Sequence, residues 1–437
     1  MFAYHLRLAL RSLGRTPGLS ALMVVAIGLG IGVCMTMLSV YALMAGDPIP
    51  HKSDRLYAVQ LDNWDPNQPF NEPNEPPNQL TWRDAQALAE RSPAGIARAA
   101  MSGVGVVFEV PDAPEVRPEI VTGRATTGDF FAMFDVPFRY GGGWDKLADA
   151  DAAQVVVLSR ELNDGLFGGE NSVGRSVRVG DTYLRVVGVV DDWDPTPRFY
   201  DLSSGAFSPV DDAFVPLSLF DRHREDWGIN GSVNCFEPPP AEGIFESECV
   251  FTQFWVELPD ETSVRDYHAF LDAYVQEQKQ LGRFQRPLNN RLSDVNEWLD
   301  INEVVQDDNT VLLGLSFMFL AVCLLNTVGL LLAKFLGRAG DVGVRRALGA
   351  SRAVVFQQHL IEVGVLGAIG GVVGLGLAWA GLAGVRSLYA DYERVAQLNL
   401  ELVAVAIGLA ILAGVIAGLY PAWRICRIAP AVYLKTQ

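Results

Sequence analysis

Histidines, cysteines and paired carboxylates are the side chains most able to do chemistry, and in this 437-residue chain they are few and scattered. The five histidines, His5, His51, His223, His268 and His359, share no metal-binding or general-base spacing. No Gly-x-x-x-x-Gly-Lys-Ser/Thr phosphate loop, His-Glu-x-x-His, Gly-x-Ser-x-Gly or Cys-x-x-Cys occurs either. Asp191-Asp192 and Asp211-Asp212 have the oxygen ligands a hard cation needs, but read as solvated loop residues. No catalytic, cofactor-binding or metal-ligating residue is therefore assigned, and the chain reads as non-catalytic.

Composition explains why chemistry is sparse. Half of the residues are hydrophobic, yet the formal net charge is -17, which a membrane chain with a large acidic water-facing domain reconciles. Four windows without Asp, Glu, Lys or Arg are long enough to span a bilayer, which takes about 20 apolar residues: Leu19 to Gly46, Val311 to Ala333, Val363 to Val385 and Leu402 to Trp423. The first is too long for a signal-peptide core and has a poor cleavage site, so it reads as a retained helix. Arg7, Arg11 and Arg15 precede it, Lys334, Arg338, Arg345, Arg346 and Arg352 follow the second window, and Arg424, Arg427 and Lys435 follow the fourth. The positive-inside rule makes all three segments cytoplasmic. Residues 46–308 are then outside, with 21 Lys and Arg against 46 Asp and Glu, a surface unsuited to nucleic acid.

The predicted order follows: a cytoplasmic amphipathic helix over 1–18, with Leu6, Leu10 and Leu13 on one face; a membrane helix over 19–46; an α+β domain over 47–310; a membrane helix over 311–333; and a basic cytoplasmic segment over 334–356. Next come membrane helices over 357–385 and 402–423, an outside loop over 386–401 between them, and a cytoplasmic tail over 424–437. Glu362 is the ionisable group nearest the hydrocarbon, and Asn326 reads as an interhelical hydrogen-bonding residue. Gly28 with Gly32, Gly367 with Gly371 and Gly414 with Gly418 have the spacing that lets helices approach closely, within the chain or with a second copy.

Inside the domain, strands are expected at Val104 to Val110, Gln154 to Leu158 and Phe251 to Leu258, with a hairpin of Ser176 to Val179 and Tyr183 to Val190. Ser159 should cap one helix, and Ser263 with Asp266 another. The Pro-, Gly- and acid-rich region 191–250 reads as an inserted loop region, stapled if Cys235 and Cys249 pair; a zinc site is disfavoured because no histidine lies near either thiol. Such a bond would stabilise the fold by roughly 3 kcal/mol in the chain-entropy description. Val295, Trp298, Leu299 and Val304 recur at helical spacing with no Gly or Pro before the second window, predicting a continuous stalk over 293–310.

Three stretches resemble the MacB/FtsX-type permeases of ABC transporters: Asp341-Val-Gly-Val-Arg-Arg-Ala-Leu-Gly-Ala-Ser leading into Gln357 to Gly376; Gly418-Leu-Tyr-Pro-Ala-Trp-Arg with Ile428-Ala-Pro-Ala-Val-Tyr-Leu; and Phe130 to Val190, with Phe130-Phe, Asp135-Val-Pro-Phe, Leu166-Phe-Gly-Gly-Glu, Val173-Gly-Arg and Val186-Val-Gly-Val-Val. The resemblance implies an inner-membrane permease of four helices with a MacB-like periplasmic core domain. It implies a homodimer or heterodimer above cytoplasmic ABC ATPase subunits that bind the ATP and Mg, and in some members a membrane-fusion adaptor. Export by mechanotransmission is the implied activity, and a membrane scaffold regulating a cell-wall hydrolase is the alternative. Without a phosphate loop in this sequence, the ATPase is expected on another polypeptide. Its docking surface is expected on Asp341, Val342, Gly343, Val344, Arg345, Arg346, Ala347, Leu348, Gly349 and Ala350.

Overall fold

The computed structural model describes residues 2–111, 118–388 and 400–427. The tail beyond 427, with its Ile428 to Leu434 motif, and most of the loop predicted at 386–401 lie outside the described residues. Two compact units emerge: Gly46–Val304, and Met1–Ala45 with Val305–Gln437.

In Gly46–Val304 the β-branched runs join one mixed sheet. Val155–Leu158, buried at every position, runs parallel to Thr182–Val190 and antiparallel to Ala213–Pro216, which lies parallel to Glu119–Thr126. A strand apolar at every position needs cover on both faces. One core contains Phe108, Leu184, Phe220 and Tyr267, the other Phe130, Phe134, Phe214 and Trp255. The predicted hairpin turns between Ser176–Val179 and Thr182–Val190 through Gly180 at φ +56°, a conformation that costs glycine little. Ser159 accepts the Leu162 amide at 3.1 Å and starts the helix Arg160–Phe167. The other cap falls earlier than predicted. Asp260, not Ser263, caps Glu261–Gln280 by accepting the Ser263 amide at 2.8 Å, since an extended Asp260 places a carboxylate at the positive helix end.

Region 191–250 is not a region of loops alone. Ala213–Pro216 is an interior strand of the sheet, and Phe199 and Tyr200 are buried, their carbonyls accepting the Trp298 and Trp255 indole N–H groups at 3.0 and 3.2 Å. Nor is all of its acidity solvated. Asp201 and Asp211 are each 1% exposed: Arg124 Nε lies 2.6 Å from Asp211, Arg124 Nη2 2.5 Å from Asp201, and Arg198 Nη2 2.8 Å from Asp211. Burial alone would raise the Asp201 carboxyl, but the two guanidiniums hold it well below the usual carboxylate range. Cys235 and Cys249 are disulfide-bonded within this region.

The continuous stalk is also corrected. Val295, Trp298, Leu299 and Val304 are core residues of the domain, the first three on the short helix Val295–Ile301. Asn302 Nδ2 donates to the Trp298 carbonyl at 2.8 Å, Glu303 takes φ +48°, and a new helix begins at Asp307. The helical spacing was that of a buried stripe, and an asparagine plus one left-handed residue ended the helix without Gly or Pro.

In the other unit, Pro17–Met44, Asp307–Leu336, Arg352–Leu388 and Leu400–Arg427 are the four membrane helices, each containing a stretch long and apolar enough to cross a bilayer. Glycines set their spacing. A Cβ on Gly28 would stand 2.9 Å from Val373 Cγ1, and one on Gly32 2.7 Å from Leu377 Cβ, so the first helix packs directly on the third. Gly367 and Gly371 press on Ala410, while Gly414 meets Gly367 and Gly418 meets Val363, joining third to fourth. All six glycines are thus used inside one chain. The amino-terminal helix Phe2–Arg15 buries Ala9 and Ser12; the side chains of Leu6 and Leu10 lie outside the described set.

Candidate functional site

A buried charge knot sits beside the basic segment. Lys334, read from sequence as a loop residue, belongs to the last turn of the second helix and is fully buried. Its ammonium lies 2.7 Å from Glu362 of the third helix and 3.4 Å from Ser20 Oγ. Glu362 also accepts from Ser12 Oγ, and His359 Nδ1 is 3.6 Å from its second oxygen. Arg338 donates to Ser12 Oγ and, at 3.0 Å, to the Ser12 carbonyl. Taking either charge out of water alone costs several kcal/mol, so each holds the other in place. The knot ties the amino-terminal helix, the first three membrane helices and the start of the basic segment together. Sequence reading singled out Glu362 but missed its partner, because the two are far apart in the chain; the one available signal was a lysine among apolar neighbours at the end of a window.

Arg338 precedes the helix Ala339–Ala347, which ends where Gly349 takes φ +101°. Ala339 and Gly343 are buried, and Val342 and Ala350 pack on the core of the membrane unit. Arg346, expected to face a partner, donates to the Cys426 carbonyl of the fourth helix at 3.2 Å. Asp341, Val344, Arg345, Ala347, Leu348 and Gly349 are left on the outer side. Val344 is 49% exposed and Leu348 83%, with Arg345 reaching Gln358 at 3.0 Å. A firmly seated helix thus presents two large apolar side chains flanked by charge.

Among the described residues, the other chemistry-bearing side chains do not converge. His51 meets Asp135 at 2.6 Å, His223 stacks on Trp227, and His268 lies 3.2 Å from the Asn290 carbonyl. Three of the four carboxylates read as possible cation ligands are engaged elsewhere: Asp211 with Arg124 and Arg198, Asp212 with the Thr122 amide, and Asp191 with Arg160 at 3.6 Å.

A cavity of about 410 Å³ in the α+β domain is lined by residues including Arg98, Asp129, Lys146, Asp149 and Ser218. Burial pushes the Asp149 carboxyl up to about 6, against hydrogen bonds from the Gly128 amide and the Trp144 indole. A carboxyl raised on folding contributes stability that is full below its unfolded value, near 4, and lost as pH rises through the folded value. Stability should therefore fall by about 3 kcal/mol between roughly pH 4 and 7 on this account, and Asp149→Asn should flatten the slope. Denaturation of the full chain in detergent across that range, with and without the substitution, checks this.

Four apolar spans, an α+β domain between the first and second, and a charge-anchored basic helix after the second define a multi-pass membrane protein. Residues 20–273 match the MacB-like periplasmic core domain and residues 313–430 the FtsX-like permease C-terminal domain; the chain belongs to the MacB-like, FtsX-type permease family, with Gly46–Val304 as its extracytoplasmic domain. It is 24% identical to the macrolide export ATP-binding/permease protein MacB of Azoarcus sp. (strain BH72) over 99% of this chain and 59% of that one. It is 24% identical to the pyoverdine export ATP-binding/permease protein PvdT of Pseudomonas entomophila (strain L48) over 70% of this chain and 42% of that one. The chain spans about half the length of the curated relatives it matches. The crystal structure of the periplasmic region of MacB from Actinobacillus actinomycetemcomitans aligns with a TM-score of 0.37 and 13% identity, covering 59% of this chain and 96% of that one.

Proposed function

We propose that this chain is the permease subunit of an ABC exporter, and that an ATP-binding partner carrying the ATP and Mg docks on the outer side of residues 339–349. The exposed pair Val344 and Leu348 carries this reading: 49% and 83% exposed, they stand on a helix whose base is fixed by Arg338, Ser12 and Glu362. Apolar anchors of this kind supply most of the affinity of an interface, while Asp341 and Arg345 set orientation and on-rate. The relatives' names, which join ATP binding to permease, support the pairing. In this reading both termini and the basic helix are cytoplasmic, the membrane is the inner one, and two permease chains work together. ATP-driven movement reaches the extracytoplasmic domain through the short join at 302–306 rather than through an unbroken helix.

Val344→Asp combined with Leu348→Asp is expected to lower co-purification of the ATP-binding partner at least tenfold and to abolish stimulation of its ATPase. The permease itself should still be inserted, because neither side chain is needed for packing. Unchanged co-purification and stimulation would place the docking surface elsewhere.

A further inference from the structure

We propose that a second copy of this chain docks along the second membrane helix, with the Asn326 carboxamides of the two copies hydrogen-bonded to each other. This rests on the reading above that permease chains work in pairs, and names the surface and the residue. Of the four spans, the second is the least covered by its own chain. Leu315, Met318 and Val322 are 50%, 62% and 50% exposed. With Asn326, Gly329 and Ala333, which are exposed too, they follow one another at steps of three and four residues, along one side of the helix.

Asn326 determines what that side meets. Ser316 and Thr327, two hydroxyl residues of the same span, donate to carbonyls of their own helix, of Leu313 and Cys323, at 2.7 and 2.8 Å. Asn326 has no hydrogen-bond partner among the described residues. It lies seven residues before Ala333, roughly 10 Å along the helix, too far for so short a side chain to reach the headgroups. An unpaired amide in hydrocarbon costs several kcal/mol, and lipid tails offer it nothing. A carboxamide carries both donor and acceptor, so the same residue brought opposite by a twofold axis satisfies it. Gly329, with no atom within 4 Å of where a Cβ would stand, leaves room for the second backbone beside it.

Single cysteines introduced into the full-length chain and oxidised in its own membrane vesicles test this, with the chain lacking the added cysteine as baseline. Met318→Cys and Val322→Cys should give a disulfide-linked dimer in several-fold higher yield than Phe317→Cys, which is 43% exposed on the far side of the helix. Adding Asn326→Leu to Val322→Cys should lower the yield about 3- to 20-fold, the range of one interhelical hydrogen bond, and Asn326→Gln should retain most of it. A dimer that crosslinks as well through Phe317, or is indifferent to Asn326→Leu, overturns this surface while leaving pairing intact. No dimer at any position overturns pairing as well. A dimer that forms only on co-expression with a different permease chain overturns the second copy as the occupant.

Discussion

Lys334→Met is expected to destabilise the membrane unit by about 3–5 kcal/mol, the usual result of removing one member of a buried ion pair. The substitution leaves Glu362, 2% exposed, without the ammonium that stood 2.7 Å away. Ser12 still donates to that carboxylate, but a neutral hydroxyl does not replace a cation. Lys334→Met with Glu362→Met should be far closer to the parent than the two separate losses suggest, because no charge is then stranded. Thermal unfolding in detergent of the two single variants and the double one measures this coupling. Equal losses that simply add would show the pair to be incidental. If the docking reading holds, the single variants should also lose partner ATPase stimulation, since the knot seats the helix that carries Val344 and Leu348.

Arg124→Met should have an effect of similar size in the extracytoplasmic domain, about 3–5 kcal/mol. It would leave Asp201 and Asp211 buried against a single guanidinium, that of Arg198. The sign with pH is fixed by the depressed Asp201 carboxyl. A lowered folded value gives stability that is present above the unfolded value and lost as pH falls through the folded one. The parent therefore keeps this contribution at neutral and mildly acidic pH. The variant lacks it, so the difference should be greatest at neutral pH and shrink on acidification. Hydrogen exchange at Ala213–Pro216 and Thr182–Val190 in the full chain reads the opening of this part of the sheet. Unchanged protection at Ala213–Pro216 at neutral pH would show that the arginine does not hold region 191–212 to the sheet.

Where sequence reading succeeded and failed has a common basis. The four membrane helices were legible because a bilayer demands long uncharged runs, and the hairpin around Gly180 because its turn needs a residue that accepts positive φ. Val155–Leu158 was legible because a short β-branched run has few other uses. The loop character of region 191–250 and the continuous stalk were misread for one reason. Pro- and Asp-rich composition suggested solvent around Asp211, and helical periodicity suggested a rod at Val295 to Val304, but neither pattern says what stands opposite. Asp211 faces Arg124 and Arg198, and Trp298 faces the Phe199 carbonyl.

By itself the sequence determined what every local environment would reward: which segments belong in hydrocarbon, where charge accumulates, which family the motifs resemble, and that Asp341 to Ala350 forms a short basic segment between two spans. Only the tertiary structure decided which charges are partners and which sides of helices stay open. Lys334 and Glu362 meet because the first membrane helix packs on both the second, at Gly30, and the third, at Gly28 and Gly32, and so holds the two together. Arg346 turns inward while Leu348 remains exposed. Periodicity and composition are properties of neighbours along the chain; a buried ion pair and an uncovered face are properties of residues the chain brings together from a distance.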